Sequence, residues 1–165
     1  MRRRQRPLMR SSLLLISLCF LGFGCSKPSP VSVGDANSGI DSLNARLVRA
    51  YQNRDPRAYA ALYTDTAVFE WPAFKTVRGP ADLAAMARSN WAGERDVDLR
   101  LTVSNRRVAA DDATEFGGFQ QSWTDSAGLR MTEFGRYVTF FLRERNGSWR
   151  MDRFFGFEDS TRSTK

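Results

Sequence analysis

The chain has 165 residues, 42% of them hydrophobic and 12% aromatic, enough for one domain with an ordinary apolar core. Its formal net charge of +7 arises near the start, where Arg2, Arg3, Arg4, Arg6 and Arg10 cluster, whereas residues 40–160 carry 17 basic and 17 acidic groups. A neutral domain lacks the electrostatic footprint that phosphate backbones require, so nucleic acid is not an expected partner.

In chain order, the arginines are followed by a largely apolar run at 13–23. A helix needs roughly 20 apolar residues to span a bilayer, so this run is short for an anchor and reads as an export signal over 1–24. The phrase Leu21-Gly22-Phe23-Gly24-Cys25-Ser26 resembles the bacterial lipoprotein signal, although leucine stands one place further from the cysteine than is usual. That resemblance implies lipidation of Cys25 and a cell-envelope location, in the periplasm or on the outer surface. Ordinary cleavage, leaving a secreted soluble protein, is the alternative. The other cysteine, Cys19, lies inside the apolar run, so the folded domain has neither a disulfide nor a thiolate to use. Residues 25–39, rich in Ser, Pro and Gly, read as a flexible linker.

Ile40, Leu43, Leu47, Val48 and Tyr51 recur at helical spacing and predict a first helix over 40–53. Asp55-Pro56 predicts a helix start, with a second helix over 56–63. Residues 67–71 read as a strand ended by Pro72, and Gly79-Pro80 opens a third helix with Leu83, Met86, Ala87 and Trp91 on one face. The period then changes to two. Strands are predicted over 97–104, 114–124, 130–144 and 148–158, separated by turns at Asp111-Asp112, Asp125–Gly128 and Asn146-Gly147. Residues 161–165 read as a disordered tail. Helices gathered before an antiparallel meander imply an α+β fold with the helices on one face of a curved sheet.

The phrases RAYQNRDPRAYAALYTDTAVFEWP and GRYVTFFLRERNGSWRMDRF, with the Gly-Pro-started helix between them, resemble the nuclear transport factor 2-like superfamily and its SnoaL-like bacterial branch over residues 40–160. The resemblance implies a cone-shaped domain of three N-terminal helices on a mainly antiparallel sheet, enclosing a pocket and often dimeric. Isomerase members place an Asp directly before the Pro that ends the first strand, where this chain has Trp71; the matching Tyr falls near Leu47 and the acidic oxyanion donor near Thr139. Dehydratase and cyclase relatives lean on pocket histidines, and this chain has no histidine. No cofactor or metal is therefore expected, and the enzyme question leans towards no.

Strand alternation suggests which side chains face the cone. Tyr51, Trp71, Trp91, Gln121, Trp123, Glu133, Tyr137 and Arg153 are the candidate pocket residues. Arg153 shares a face with Trp149, Met151 and Phe155, and a core-facing arginine needs a partner or water. It either contacts a ligand or closes a filled cone through an Arg–Glu pair, and the three tryptophans are either core packing or aromatic pocket walls. The expected ligand is small and apolar or aromatic. An enzyme using Glu133 or Asp152 as base, with Tyr137 or Arg153 stabilising charge, and a protein-association domain remain as alternatives. Val138, Phe140 and Leu142 form a face too apolar for open water, which suggests a homodimer through the sheet.

Overall fold

The computed structural model describes residues 32–72 and 74–164. The segment read as an export signal, Cys25 and residues 25–31 of the expected linker lie outside them. Helices α1 (Val33–Gln52), α2 (Pro56–Ala60) and α3 (Gly79–Asn90), the last continued by a 3-10 turn (Trp91–Gly93), precede or interrupt a six-stranded sheet. Its strands are β1 (Tyr63–Glu70), β2 (Val77–Arg78), β3 (Arg95–Val108), β4 (Asp112–Thr124), β5 (Arg130–Arg143) and β6 (Trp149–Thr164), in the order β2-β1-β6-β5-β4-β3. The β1–β6 pair is parallel and the rest are antiparallel. This is the expected α+β cone, with helices against one face of a curved, mostly antiparallel sheet. No helix of the described residues is long and apolar enough to cross a membrane.

Two ends differ from the sequence reading. The first helix begins at Val33, so residues 33–39 are helix and not linker. The Ser32 side chain accepts a hydrogen bond from Asp35 N at 3.1 Å, and Asp35 sits in the first turn, where a negative charge suits the helix dipole. Gly39, which reads as a linker residue, lies at a close contact instead: a Cβ there would come within 2.7 Å of Trp149 Cδ1. At the other end β6 continues to Thr164, because Thr161–Thr164 pair with Arg130–Glu133 of β5 and leave no free tail among the described residues. The second helix stops at Ala60, since Tyr63 already pairs with Met151 of β6.

Strand β6 also corrects the alternation. Phe140 pairs with Arg153 but Phe141 pairs with Met151, so Asp152 is an extra residue and the faces exchange there. Trp149 and Met151 point into the core; beyond the bulge it is Phe154 that packs inward and Arg153 that faces water, with half of its side-chain area exposed. Arg153 therefore leaves the candidate site.

Beside the N-terminal half of α1 the core holds one buried ion pair. Glu115 is fully buried and its two oxygens accept from Arg106 Nε (2.7 Å), Tyr137 Oη (2.8 Å) and Asn44 Nδ2 (2.9 Å). Arg106 also donates to Asp41 Oδ1 at 2.7 Å and to Asn37. Every oxygen of Glu115 is thus occupied, the condition under which a buried carboxylate can stay charged. Gly117 of β4 carries no side chain because the Tyr137 ring covers it, 2.5 Å from where a Cβ would stand.

Candidate functional site

Beside the C-terminal half of α1 the core opens into a cavity of about 380 Å³. Its sheet side is aromatic. Phe69 of β1 stacks on Phe154 of β6 (centroids 5.0 Å apart, planes 5° apart) and on Trp71 (6.3 Å, 11°), and Phe154 stacks on Tyr137 of β5 (6.1 Å, 14°). The helix side is also aromatic, packed edge to face: Trp91 meets Tyr51 at 5.3 Å and Tyr59 at 5.7 Å. The Tyr59 and Tyr63 hydroxyls lie 2.9 Å apart and share one hydrogen bond, which leaves one phenolic proton over. Burial raises both phenols, Tyr59 to about 12 and Tyr63 well above its ordinary value, so both are neutral at physiological pH.

Polar groups meet at one place on this wall. Tyr51 Oη donates to Gln121 Oε1 at 2.6 Å, and Gln121 Nε2 donates to Glu133 Oε2 at 2.9 Å. The cross-strand register places Gln121 opposite Glu133, which is why the pair forms. Glu133 is 8% exposed and its other oxygen, Oε1, is buried without a hydrogen-bond partner. Glu94, in the segment after the 3-10 turn, contributes a second unpartnered buried oxygen, Oε2. Glu158 of β6 lies at the rim, exposed to water. Among the described residues no group of three or more acidic side chains is arranged to hold a metal ion.

Burial pushes the Glu94 carboxyl up to about 6; Arg54 opposes that shift and Glu133 adds to it. Burial likewise raises Glu133, with Gln121 lowering it and Glu158 adding to the rise. The linkage sign follows directly. A carboxyl raised in the folded state binds more protons there than in the unfolded chain, so its contribution favours folding at low pH and is lost as pH rises through the folded value. Glu133→Gln is therefore expected to melt higher than the wild type near pH 7.5, with the gain shrinking towards about pH 4.5, in thermal denaturation followed by circular dichroism. An equal gain at both pH values would mean that charge burial is not its cause.

Seven of the eight candidates from the sequence line this cavity: Tyr51, Trp71, Trp91, Gln121, Trp123, Glu133 and Tyr137. Arg153 does not, for the bulge reason given above. Asp152 does not either; its carboxylate accepts from Thr64 Oγ1 at 2.8 Å outside the cavity. Tyr137 reaches the cavity with its ring while its hydroxyl is committed to Glu115. The sequence reading missed Glu94, which follows a turn that no periodicity marks, and Phe154 and Glu158, which alternation assigned to the opposite face of β6.

Comparisons with known proteins agree on the fold. A ketosteroid isomerase-like protein from Erwinia carotovora atroseptica SCRI1043 superposes with a TM-score of 0.66 at 21% identity, covering 74% of this chain and 95% of that one. Hexachlorocyclohexane dehydrochlorinase LinA-type3 from Novosphingobium barchaimii LL02 gives 0.69 at 17% identity, covering 79% and 90%. A conserved protein from Planctomyces limnophilus DSM 3776 gives 0.70 at 18% identity, covering 76% and 97%. At these identities the likeness speaks for architecture, since one fold hosts many chemistries. No curated protein matches the chain. The model of the SnoaL-like domain matches residues 35–154, nearly the whole described region, and the chain belongs to that family.

Proposed function

We propose that the domain binds a small, largely apolar molecule in the cavity between α1, α3 and the sheet. The observation that carries this reading is the hollow itself: about 380 Å³ walled by aromatic rings, with a few polar groups brought together on one side. Ligand sites share that composition, whereas a structural core of this size is normally filled. In the same reading Cys25 carries a lipid that holds the domain at the cell envelope, and two copies pair through the outer sheet face. Phe116, Phe140, Leu142 and Phe157, each close to two-fifths exposed, support that pairing. Native mass spectrometry of gently purified protein tests both parts. A small-molecule adduct that dissociates on activation and a dimer peak are expected. A clean monomer mass, repeated against a metabolite and lipid library, would sink them.

A second reading is favoured by one observation. Glu133 keeps a buried oxygen without a partner and is raised above its ordinary value by burial, the direction that suits a general base working near neutrality. The Tyr51–Gln121 chain would fix its orientation, and the spare proton of the Tyr59–Tyr63 pair would be available to a developing oxyanion. This is the proton-transfer alternative with Glu133 as base. Asp152, Arg153 and the hydroxyl of Tyr137 have no part in it.

A further inference from the structure

Among the described residues, the charged side chains that line the cavity are of one sign. Glu94, Glu133 and Glu158 line it, with no lysine or arginine among the described lining residues. Of these, Glu133 is more than nine-tenths buried, and its Oε1 is buried without a donor, as is the Oε2 of Glu94. The donors that do reach Glu133 serve its other oxygen, since Gln121 Nε2 donates to Oε2 and the Tyr51 hydroxyl is used on Gln121. An apolar enclosure is a poor place for an unpaired carboxylate. The two glutamates stand within mutual electrostatic reach, each raised by burial and Glu94 further by Glu133. Much of the rest of the wall is aromatic, and the face of an aromatic ring attracts cations through its quadrupole. Phe69, Trp71 and Phe154 line the cavity from the sheet as one stack.

We infer that the cavity selects an apolar organic cation, an amine whose ammonium group sits at Glu133 and Glu94 and whose aromatic or aliphatic body lies against the stacked rings. The inference rests on the cavity being a ligand site, and it adds the charge of the ligand. An ammonium supplies the donors that the two free oxygens lack, and its positive charge offsets part of theirs. A neutral alcohol or amide would satisfy one oxygen and leave the charge unbalanced. A carboxylate would add a further negative group to the three that line the cavity.

The pH dependence has a definite sign. Ionised Glu133 and Glu94 are needed, so affinity falls as pH drops through their range, which for Glu94 lies at about 6. The groups facing them are Gln121 of β4, Tyr51 of α1 and Glu158 of β6, with Arg54, after α1, acting on Glu94 from outside the lining. Tyr51 stays neutral across this range, so it does not reverse the sign.

The test uses three probes with one body: 2-(2-naphthyl)ethylamine, 2-(2-naphthyl)ethanol and 2-naphthylacetate, titrated calorimetrically into the full chain. The amine is expected to bind at least about tenfold tighter than the alcohol at pH 7.5, and the acetate to show no binding. Glu133→Gln should cut the amine's affinity by about tenfold or more and leave the alcohol's within about threefold. Circular dichroism of that variant confirms the fold. Alcohol binding as tight as amine binding, or an amine affinity indifferent to Glu133→Gln, would overturn the cationic assignment and leave the cavity reading standing. Failure of all three probes to bind would remove both.

Discussion

Arg106→Leu is expected to lower the free energy of unfolding by about 3–5 kcal/mol, the loss seen when one partner of a buried ion pair is removed. Glu115 has no exposure and would lose the guanidinium that now contacts it at Nε and Nη2. Tyr137 and Asn44 would remain as donors, but neither carries charge. Asp41, two-thirds exposed, gives the control: Asp41→Asn should cost about 1 kcal/mol or less, because water already screens that contact. Urea denaturation of the two single variants and of Arg106→Leu/Glu115→Leu completes the case. The double variant should recover part of the loss, since it removes the orphaned charge but strands the Tyr137 hydroxyl. An Arg106→Leu loss below about 1 kcal/mol would show that Glu115 is neutral in the fold or reached by water.

Trp91→Ala should be comparably damaging, at about 3–5 kcal/mol, whereas Trp123→Ala should cost about 1 kcal/mol or less. Both side chains line the cavity, yet they stand differently. Trp91 is 6% exposed, follows α3 directly, and packs edge to face against Tyr51 and Tyr59, so its loss frees two further rings that hold α1 and α2 in place. Trp123 is half-buried on β4, and its removal widens the cavity without undoing the helix contacts. Chemical denaturation separates the two. Equal losses would mean that the cavity collapses as one unit and has no separable wall.

Much of the molecule was legible in its sequence because two periodicities announce it. The change from helical spacing to alternation at residue 97 marks where the helices end and the meander begins. Asp55-Pro56 and Asn146-Gly147 fix a helix start and a hairpin by local chemistry alone. Alternation on β4 and β5 was sufficient to bring Gln121 and Glu133 together, because those strands pair without a shift over their whole contact. It failed on β6, where an extra residue at Asp152 reverses the faces until a second extra residue, Asp159, exchanges them again, so Arg153 reads as inside and Phe154 as outside. A bulge of that kind depends on the partner strand and leaves no mark in its own residues. The early start of α1 was hidden for a related reason. Gly34 and Gly39 look like linker composition, and only the approach of Trp149 explains why the second of them is there. Glu94 was out of reach because its position depends on how a 3-10 turn exits.

The parallel pairing of β1 with β6 has a consequence for how the chain reaches this state. Thr64 and Asp152, hydrogen-bonded across that seam, are 88 residues apart, and β1 has only the two-residue β2 on its other side among the described residues. During synthesis β1 is made well before its long neighbour β6. Until residues 149–155 have been made, β1 offers an open hydrogen-bonding edge flanked by Phe69 and Trp71, a template for pairing with other chains. Closure of the sheet is then a late, long-range event, of the kind that makes folding slow. A nascent or partly unfolded chain of this protein therefore depends on β6 to bury the edge that β1 exposes.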